Sequence, residues 1–503
     1  MVKKVKTAHW NLLRRELLDA EKRIGPAPAP GPYPAVVCYP NTYRAAMAGL
    51  GFQLIWDAAA RHPSFTAERA FYSLSDKSTV KADSPHSLES GKPLRSFETV
   101  FFSVQYELDY INLYRILAAA GLNPWAAERR AGDPLVVVGG IAPTANPEPL
   151  SAFADAFYLG DGEAAFGDVL DMLAWTRGAP KTERLVELNG ISGVYVPALD
   201  EEPPTPVRTK SLDGFPASAP VITPHAGFGD TVVLEPIRGC QRECRFCLIG
   251  NAGGPVRVRR PDVLLDETYK ARDVAKKISL IGSAISDHPG IEELVNAFAD
   301  DGYLVSVSSL NIASVTESLL SGIAKSGQRS VTFAPETATD RMRSAVGKPL
   351  PDGRLKELLH ETAAAGFRAV KLYYLVGLPD ENDEDAEAVG AEVRALADEF
   401  PTLRLEASVN PFVPKRWTPW AKKAMAPAKV IRSRLELARR AIKGRARVSA
   451  GNPNEAAVQA LLSLGDRRAA ESIARRAESA RPYARLTGEE KNLLEEFGDG
   501  ETG

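Results

Sequence analysis

The sequence predicts an α/β protein: a doubly wound parallel sheet, then an open parallel barrel of six βα units, then a helical tail. Three observations predict it. Short apolar runs alternate with helix-length stretches twice over, a pattern that builds parallel sheets covered by helices. A proline-dense stretch over residues 196–226, with Pro203, Pro204 and Pro206 at its centre, separates the two series. The second series holds six strand candidates, each with room for a helix after it, which fits a barrel better than a flat sheet.

The elements follow in order. Residues 1–34 give a basic start and then the proline-rich entry PAPAPGPYP. Trp10, Leu12, Leu13, Leu17 and Leu18 recur at helical spacing, so the start reads as a docking helix. The apolar block of a signal peptide is missing from it. Residues 35–180 form the first domain, with strands at 35–39, 99–104, 135–138 and 156–159 and helices at 43–61, 110–120 and 166–175. Residues 74–96 are polar and broken and read as loops. Residues 181–229 are the linker. Residues 230–425 form the barrel, with strands at 231–235, 278–281, 304–308, 330–333, 369–374 and 404–409. Residues 426–503 are rich in Arg, Ala, Leu and Glu and read as helical.

A chain of 503 residues has room for about three domains. A formal net charge of -2 gives no global attraction to polyanions and no strong nucleic-acid signal; any such contact would need a local patch. There is no run of 18 apolar residues, hence no expected membrane span, and the expected compartment is the cytoplasm. The chain has four cysteines. Cys240, Cys244 and Cys247 cluster in a way that a disulfide framework would not, which points to metal or cluster ligands.

Those three lie in Arg238-Gly239-Cys240-Gln241-Arg242-Glu243-Cys244-Arg245-Phe246-Cys247, a C-x3-C-x2-C spacing just after the strand at 231–235. Thiolates suit iron–sulfur chemistry. Zinc would need a fourth ligand, and no further cysteine or histidine lies nearby. A cubane on three cysteines leaves one iron without a protein ligand, at the barrel face where βα loops carry chemistry.

The loop resembles the cluster-binding loop of the radical S-adenosylmethionine (SAM) superfamily, including Phe246 before the last cysteine. The resemblance implies a [4Fe-4S] cluster whose open iron SAM chelates, and reductive cleavage of SAM to methionine and a 5′-deoxyadenosyl radical. It extends over about residues 230–420. Gly282 and Ser283 look like the SAM-facing turn of the second barrel strand. Glu336 looks like the polar residue that ends the fourth, and Arg341 or Arg343 could pair with the SAM carboxylate. Gly377, in Gly377-Leu378-Pro379, looks like the family's G-x-P ending of the fifth.

Residues 35–180 resemble the Rossmann-like domain that precedes the barrel in cobalamin-binding radical SAM proteins. Gly139, Gly140, Gly160 and Gly162 at strand ends would let a cofactor approach, or serve tight turns. The cobalamin signature D-x-H-x-x-G is absent, and some members of that class also lack the histidine, so cobalamin stays open. Cys38 reads as a small core residue. Helix-spaced Ala456, Val458, Leu461 and Leu462 suggest a helix on the barrel's open edge, and Asp466-Arg467-Arg468 could touch an acidic substrate. The whole-chain likeness is to a radical SAM group for which the resemblance supplies no substrate. The expectation is a radical SAM enzyme modifying an unknown substrate, with or without cobalamin-assisted methyl transfer. An external electron donor such as a flavodoxin or ferredoxin is its implied partner. The alternatives are a methylthiotransferase-like modifier of tRNA or protein, which would commonly need more cysteines, and an iron–sulfur electron-transfer protein, which would usually ligate every iron.

Overall fold

The computed structural model describes residues 2–75 and 86–499. Part of the 74–96 loop reading, residues 76–85, lies outside the described residues. In the first domain an uninterrupted apolar run makes β1 (Tyr33–Thr42), buried on both faces as parallel strands are. Val36 and Cys38 face one core, while Ala35, Val37 and Tyr39 face the other. The remaining strands are β2 (Phe65–Ser73), β3 (Thr99–Ser103), β4 (Leu135–Gly139), β5 (Ala156–Tyr158) and β6 (Val194–Tyr195). Their order is β2-β1-β3-β4-β5-β6, all parallel except the last pair.

Two of these strands are absent from the sequence reading. β2 carries Glu68 and Arg69 in its middle, which breaks the apolar pattern. Arg69 is nonetheless buried, bonded to Glu21 (2.7 Å) and Glu89 (2.6 Å) and stacked over Trp56. β6 lies inside the expected linker, so the sheet runs past residue 180. The N-terminal helix, Val2–Ala20, buries Leu17 and partly buries Trp10, Leu13 and Leu18, but Leu12 is 66% exposed and faces away. The proline-rich bridge is also not free. Val221–Ile222 pairs with Lys22–Arg23, and Val207 bridges to Gly160.

The barrel has β7 (Val232–Leu234), β8 (Lys277–Leu280), β9 (Leu304–Val307), β10 (Ser330–Glu336), β11 (Ala369–Val376) and β12 (Arg404–Pro411), parallel and in chain order. A Leu310–Phe333 bridge joins its two sheets. A seventh parallel strand, β13 (Arg447–Ala450), adds to β12 inside the stretch expected to be helical. On β11 burial alternates: Val370, Leu372, Tyr374 and Val376 sit in the strand–helix core, and Lys371, Tyr373 and Leu375 face the lumen. The helix Pro453–Leu464 follows the barrel's edge strand β13 and touches the barrel helix Ala428–Ile442, as expected, but its other side meets the first domain. With Ala469–Glu478 it packs on the first domain, where Val458, Leu462 and Ile473 enter the core beside Leu113 and Leu117. Arg467 pairs with Glu148, and Arg468 with Asp466 and Glu496, so that segment is structural.

Candidate functional site

A short antiparallel ribbon, Ile237–Arg238 with Arg257–Val258, brackets the cysteine loop at the C-terminal end of β7. The loop then doubles back tightly. A Cβ on Gly250 would clash with the Arg242 carbonyl, and Gly239 takes φ +87° close to the Pro255 carbonyl. Asn251 donates to the carbonyls of Cys244 (3.0 Å) and Cys247 (2.7 Å), and the Cys247 N–H donates to the Cys244 carbonyl at 3.0 Å. Two of the three thiols are thereby held at a set spacing. Cys244 is buried, while Cys240 and Cys247 are half-buried.

Burial pushes the Cys244 thiol up to about 11. The other two cysteines and Glu336 add to that rise, and Lys348 opposes it. Burial also raises Cys240, whose neighbours include Cys247 and Asp287. Cys240 and Cys247 therefore lie near enough to Cys244 to disfavour its ionisation, and a cationic centre would relieve that. Among the described residues no three His, Cys, Asp or Glu side chains converge as a single metal ion requires. A [4Fe-4S] cube takes one thiolate per iron, so its ligands stand further apart. Around the loop, Arg242 Nε, Asp287 Oδ2 and Thr337 Oγ1 are buried without a partner. Arg242 and Asp287 meet at 3.3 Å through their other atoms. Buried polar atoms left unpaired mark a place where a ligand belongs. The donor set and its surroundings fit a cluster with SAM beside it.

The outside of the loop is tied to the ends of β10, β11 and β12. Phe246 packs against a dry layer of Met342, Val346, Leu378, Phe412 and Trp420. The Arg245 N–H donates to Val346, and the Trp420 N–H to Arg245. Glu336, the last residue of β10, is buried with φ +66° and pairs with Lys348 at 2.9 Å. Burial raises its carboxyl and Lys348 draws it back.

Other expected site residues fare differently. Gly282 passes under the ribbon, where a Cβ would stand 2.9 Å from the Ile237 carbonyl, and Ser283 beside it is exposed. Arg341 and Arg343 are not brought to the loop. Arg341 pairs with Asp385 at the start of the helix Asp383–Glu399. Arg343 bonds Glu392 at 2.6 Å, which also accepts from Tyr374, on the outer side of β11. Gly377 takes φ +77° and donates its N–H to Glu381 at 2.6 Å, so it makes a turn. A Cβ on Gly140 would clash with Val104, and one on Gly160 with Val207. The close approach at these glycines is to the protein's own backbone. Lys348, Asp287, Thr337 and Asn251 were not signalled by the sequence, since none belongs to a recognisable spacing except Asn251, one helical turn after Cys247.

The first domain turns its strand ends toward this loop. Arg238, two residues before Cys240, bonds Glu163 beyond β5 at 2.7 and 2.9 Å and Glu235 at 2.6 and 2.9 Å. Arg257 pairs with Asp161. Lys415 pairs with Glu107 at 2.6 Å, and Trp417 Nε1 donates to Ala145 at 2.7 Å. Leu50, Leu54, Val233 and Ile281 form an apolar seam between the domains. In this strand order the topological switch point lies between β1 and β3, where Asn41 and Gln105 remain half-buried.

Two family descriptions match the chain: "Radical SAM proteins, N-terminal" over residues 51–197 and "Radical SAM superfamily" over residues 234–392. An uncharacterized protein of Methanocaldococcus jannaschii is 27% identical over 439 residues, covering 86% of this chain and 88% of its own. The ribosomal protein uS12 methylthiotransferase RimO of Acidothermus cellulolyticus is 30% identical over 178 residues, 32% of this chain and 37% of its own. Among solved structures, the radical SAM methyltransferase TsrM from Kitasatospora setae, with cobalamin and a [4Fe-4S] cluster bound, matches with a TM-score of 0.52 at 15% identity. That match covers 78% of this chain and 79% of TsrM. The cobalamin-dependent SAM radical enzyme OxsB matches with a TM-score of 0.50 at 13% identity, over 71% of this chain and 52% of OxsB. These structures share the fold of two domains in this order, and with both family descriptions falling on those same two domains, the chain is an enzyme of the radical SAM superfamily.

Proposed function

We propose that the chain holds a [4Fe-4S] cluster on Cys240, Cys244 and Cys247 and reductively cleaves SAM beside it, to modify a substrate lying between the two sets of strand ends. The observation that carries this is three thiols gathered on one tightly folded loop at the C-terminal mouth of the barrel, bordered by buried polar atoms without partners. When bound, the cluster supplies an electron and SAM supplies the reactive 5′-deoxyadenosyl group. The chain does the rest. Asn251 fixes the loop carbonyls and hence the thiol spacing. Lys348, rather than Arg341 or Arg343, would hold the SAM carboxylate, with Glu336, its ion-pair partner, accepting from the amino group. Thr337 and Asp287 have unused hydrogen-bonding capacity on the same side. The layer under Phe246 excludes water from behind the loop.

Cobalamin-assisted methyl transfer is a second reading, favoured by strand ends of a 2-1-3-4-5 sheet that face Cys240. Val207 covers the end of β5, and residues 415–417 cover the loops after β3 and β4, so cobalamin would have to sit near Asn41 and Gln105 instead. Anaerobic reconstitution tests both readings. The protein should take up about four irons and lose them in Cys240→Ala, Cys244→Ala or Cys247→Ala, while Cys38→Ala keeps them. With reductant, SAM should give 5′-deoxyadenosine. S-adenosylhomocysteine formed only with bound cobalamin would select the second reading. A cluster retained in all three loop variants would sink the proposal.

A further inference from the structure

At the barrel mouth away from the cysteines, the strands begin on cations. Lys276 precedes and Lys277 opens β8, Arg329 precedes β10, Arg368 precedes β11, Arg404 opens β12 and Arg447 opens β13. All six are exposed, and none is in an ion pair among the described residues. Most acids at that end already have partners: Asp273 with Arg272, Asp300 with Lys325, Asp398 with Arg445, and Glu399 with Lys356. Asp301 is left. A chain of net charge -2 therefore concentrates unpaired positive charge on one rim.

The register places this charge. Ser330 stands beside Ala369, Ala369 beside Arg404, and Glu406 beside Arg447. Neighbouring strands lie about 4.8 Å apart, so β10 to β13 carry these cations across an arc of about 15 Å. Residues flanking Arg404 and Lys277 in the strand–helix core, Leu405 and Ile278, point outward, which turns Arg404 and Lys277 toward the lumen. Above them the lumen is not filled with bulky aliphatic side chains, as a closed barrel's would be. It offers Ser306, Thr332, Lys371, Glu406 and Ser408, with Tyr373 and Leu375 further in; Lys371 is still 36% exposed and 3.7 Å from Glu406, which is the one carboxylate among them.

We propose that this N-terminal mouth is a docking surface for single-stranded nucleic acid. An arc of arginines suits phosphates, which guanidinium forks grip bidentately. The narrow width suits one backbone tracked through a basic groove. Hydroxyls and the lysine above the rim can bond sugars and base edges, whereas an acidic protein surface would find only a narrow concave ring. The surface is independent of the cysteine loop, and its test needs neither cluster nor SAM.

The test is fluorescence anisotropy of the full chain with fluorescein-labelled oligouridylate. Binding should weaken steeply with salt. Arg404→Glu with Arg447→Glu should weaken it about tenfold or more at low salt and flatten the log–log salt slope by about 1.4, the loss of two phosphate contacts. Arg404→Lys with Arg447→Lys should keep most of it, and Arg130→Glu on the first domain should change nothing. Circular dichroism of the variants should match the parent, since neither arginine has a partner to lose. No binding at low salt, equal weakening by Arg130→Glu, or displacement of the RNA by poly-L-glutamate at equal charge would each overturn the proposal.

Discussion

Asp109 sits buried at the end of the first sheet, accepting from Asn41 at 2.8 Å and Asn112 at 3.4 Å. Burial raises its carboxyl to about 7 against the two amides, and Glu107 adds to the rise. Its proton is therefore held longer in the folded chain than in the unfolded one. Below the unfolded value both states are protonated and stability is whole. It falls as pH rises toward about 7 and is then constant. Asp109→Asn keeps the acceptor and removes the charge, so the variant should gain stability by a few kcal/mol near pH 8 and by less near pH 5, read by urea denaturation. An equal gain at both pH values would show that the carboxyl is not charged in the fold. The sequence showed the three clustered cysteines because their spacing is local. It could not show that Arg341 belongs to Asp385, because that partner is set by how a helix 44 residues later docks on β11. Glu336 and Lys348 lie 12 residues apart on either side of the short helix Asp340–Ala345, a separation that carries no periodic signal either.

The C-terminal helices behave as part of the first domain. Leu462 and Ile473 are fully buried against it, and Arg115 donates to the carbonyls of Ala477 (2.8 Å) and Ser479 (2.9 Å). Leu462→Ala or Ile473→Ala should each cost about 2–5 kcal/mol in chemical denaturation, while Leu12→Ala, on an exposed face, should stay within about 0.5 kcal/mol. Equal effects would mean the helices are not docked in solution. These helices were legible as helices, and the barrel side of Pro453–Leu464 was expected, but their docking on the first domain was not, since an apolar stripe names no partner. Strands were legible where both faces are apolar, as in β1, β3 and β4. They were missed where charges sit inside, as with Arg69 in β2, or where the strand is short and half polar, as with Arg447-Val448-Ser449-Ala450 in β13.

At the scale of the molecule, Arg238 is the joint. It gathers Glu163, Glu235 and Asp161, and burial of Glu163 is more than offset by Arg238, which holds its carboxyl below the ordinary range. Arg238→Ala leaves Glu163 and Glu235 together with only Arg259, 3.8 Å from Glu235, to compensate, while Asp161 keeps Arg257. It should cost about 3–5 kcal/mol and open the bridge at residues 196–226 to limited proteolysis, with Arg238→Lys recovering part. Unchanged melting and cleavage would show that the seam of Leu50, Leu54, Val233 and Ile281 holds the domains unaided. That the two sets of strand ends would face each other followed from where such folds bind ligands. That the chain's own bridge would cover β5 did not, because Val207 has no pattern around it. The return of residues 453–478 to the first domain also sets a timetable for biosynthesis. The apolar side of the helix Asp109–Ala119 emerges from the ribosome some 350 residues before its cover. At about 5–20 residues per second that is a wait of roughly 20 to 70 s. The first domain to be made is the last to be closed, and a nascent chain stalled within the barrel presents an uncovered greasy flank that chaperones would recognise.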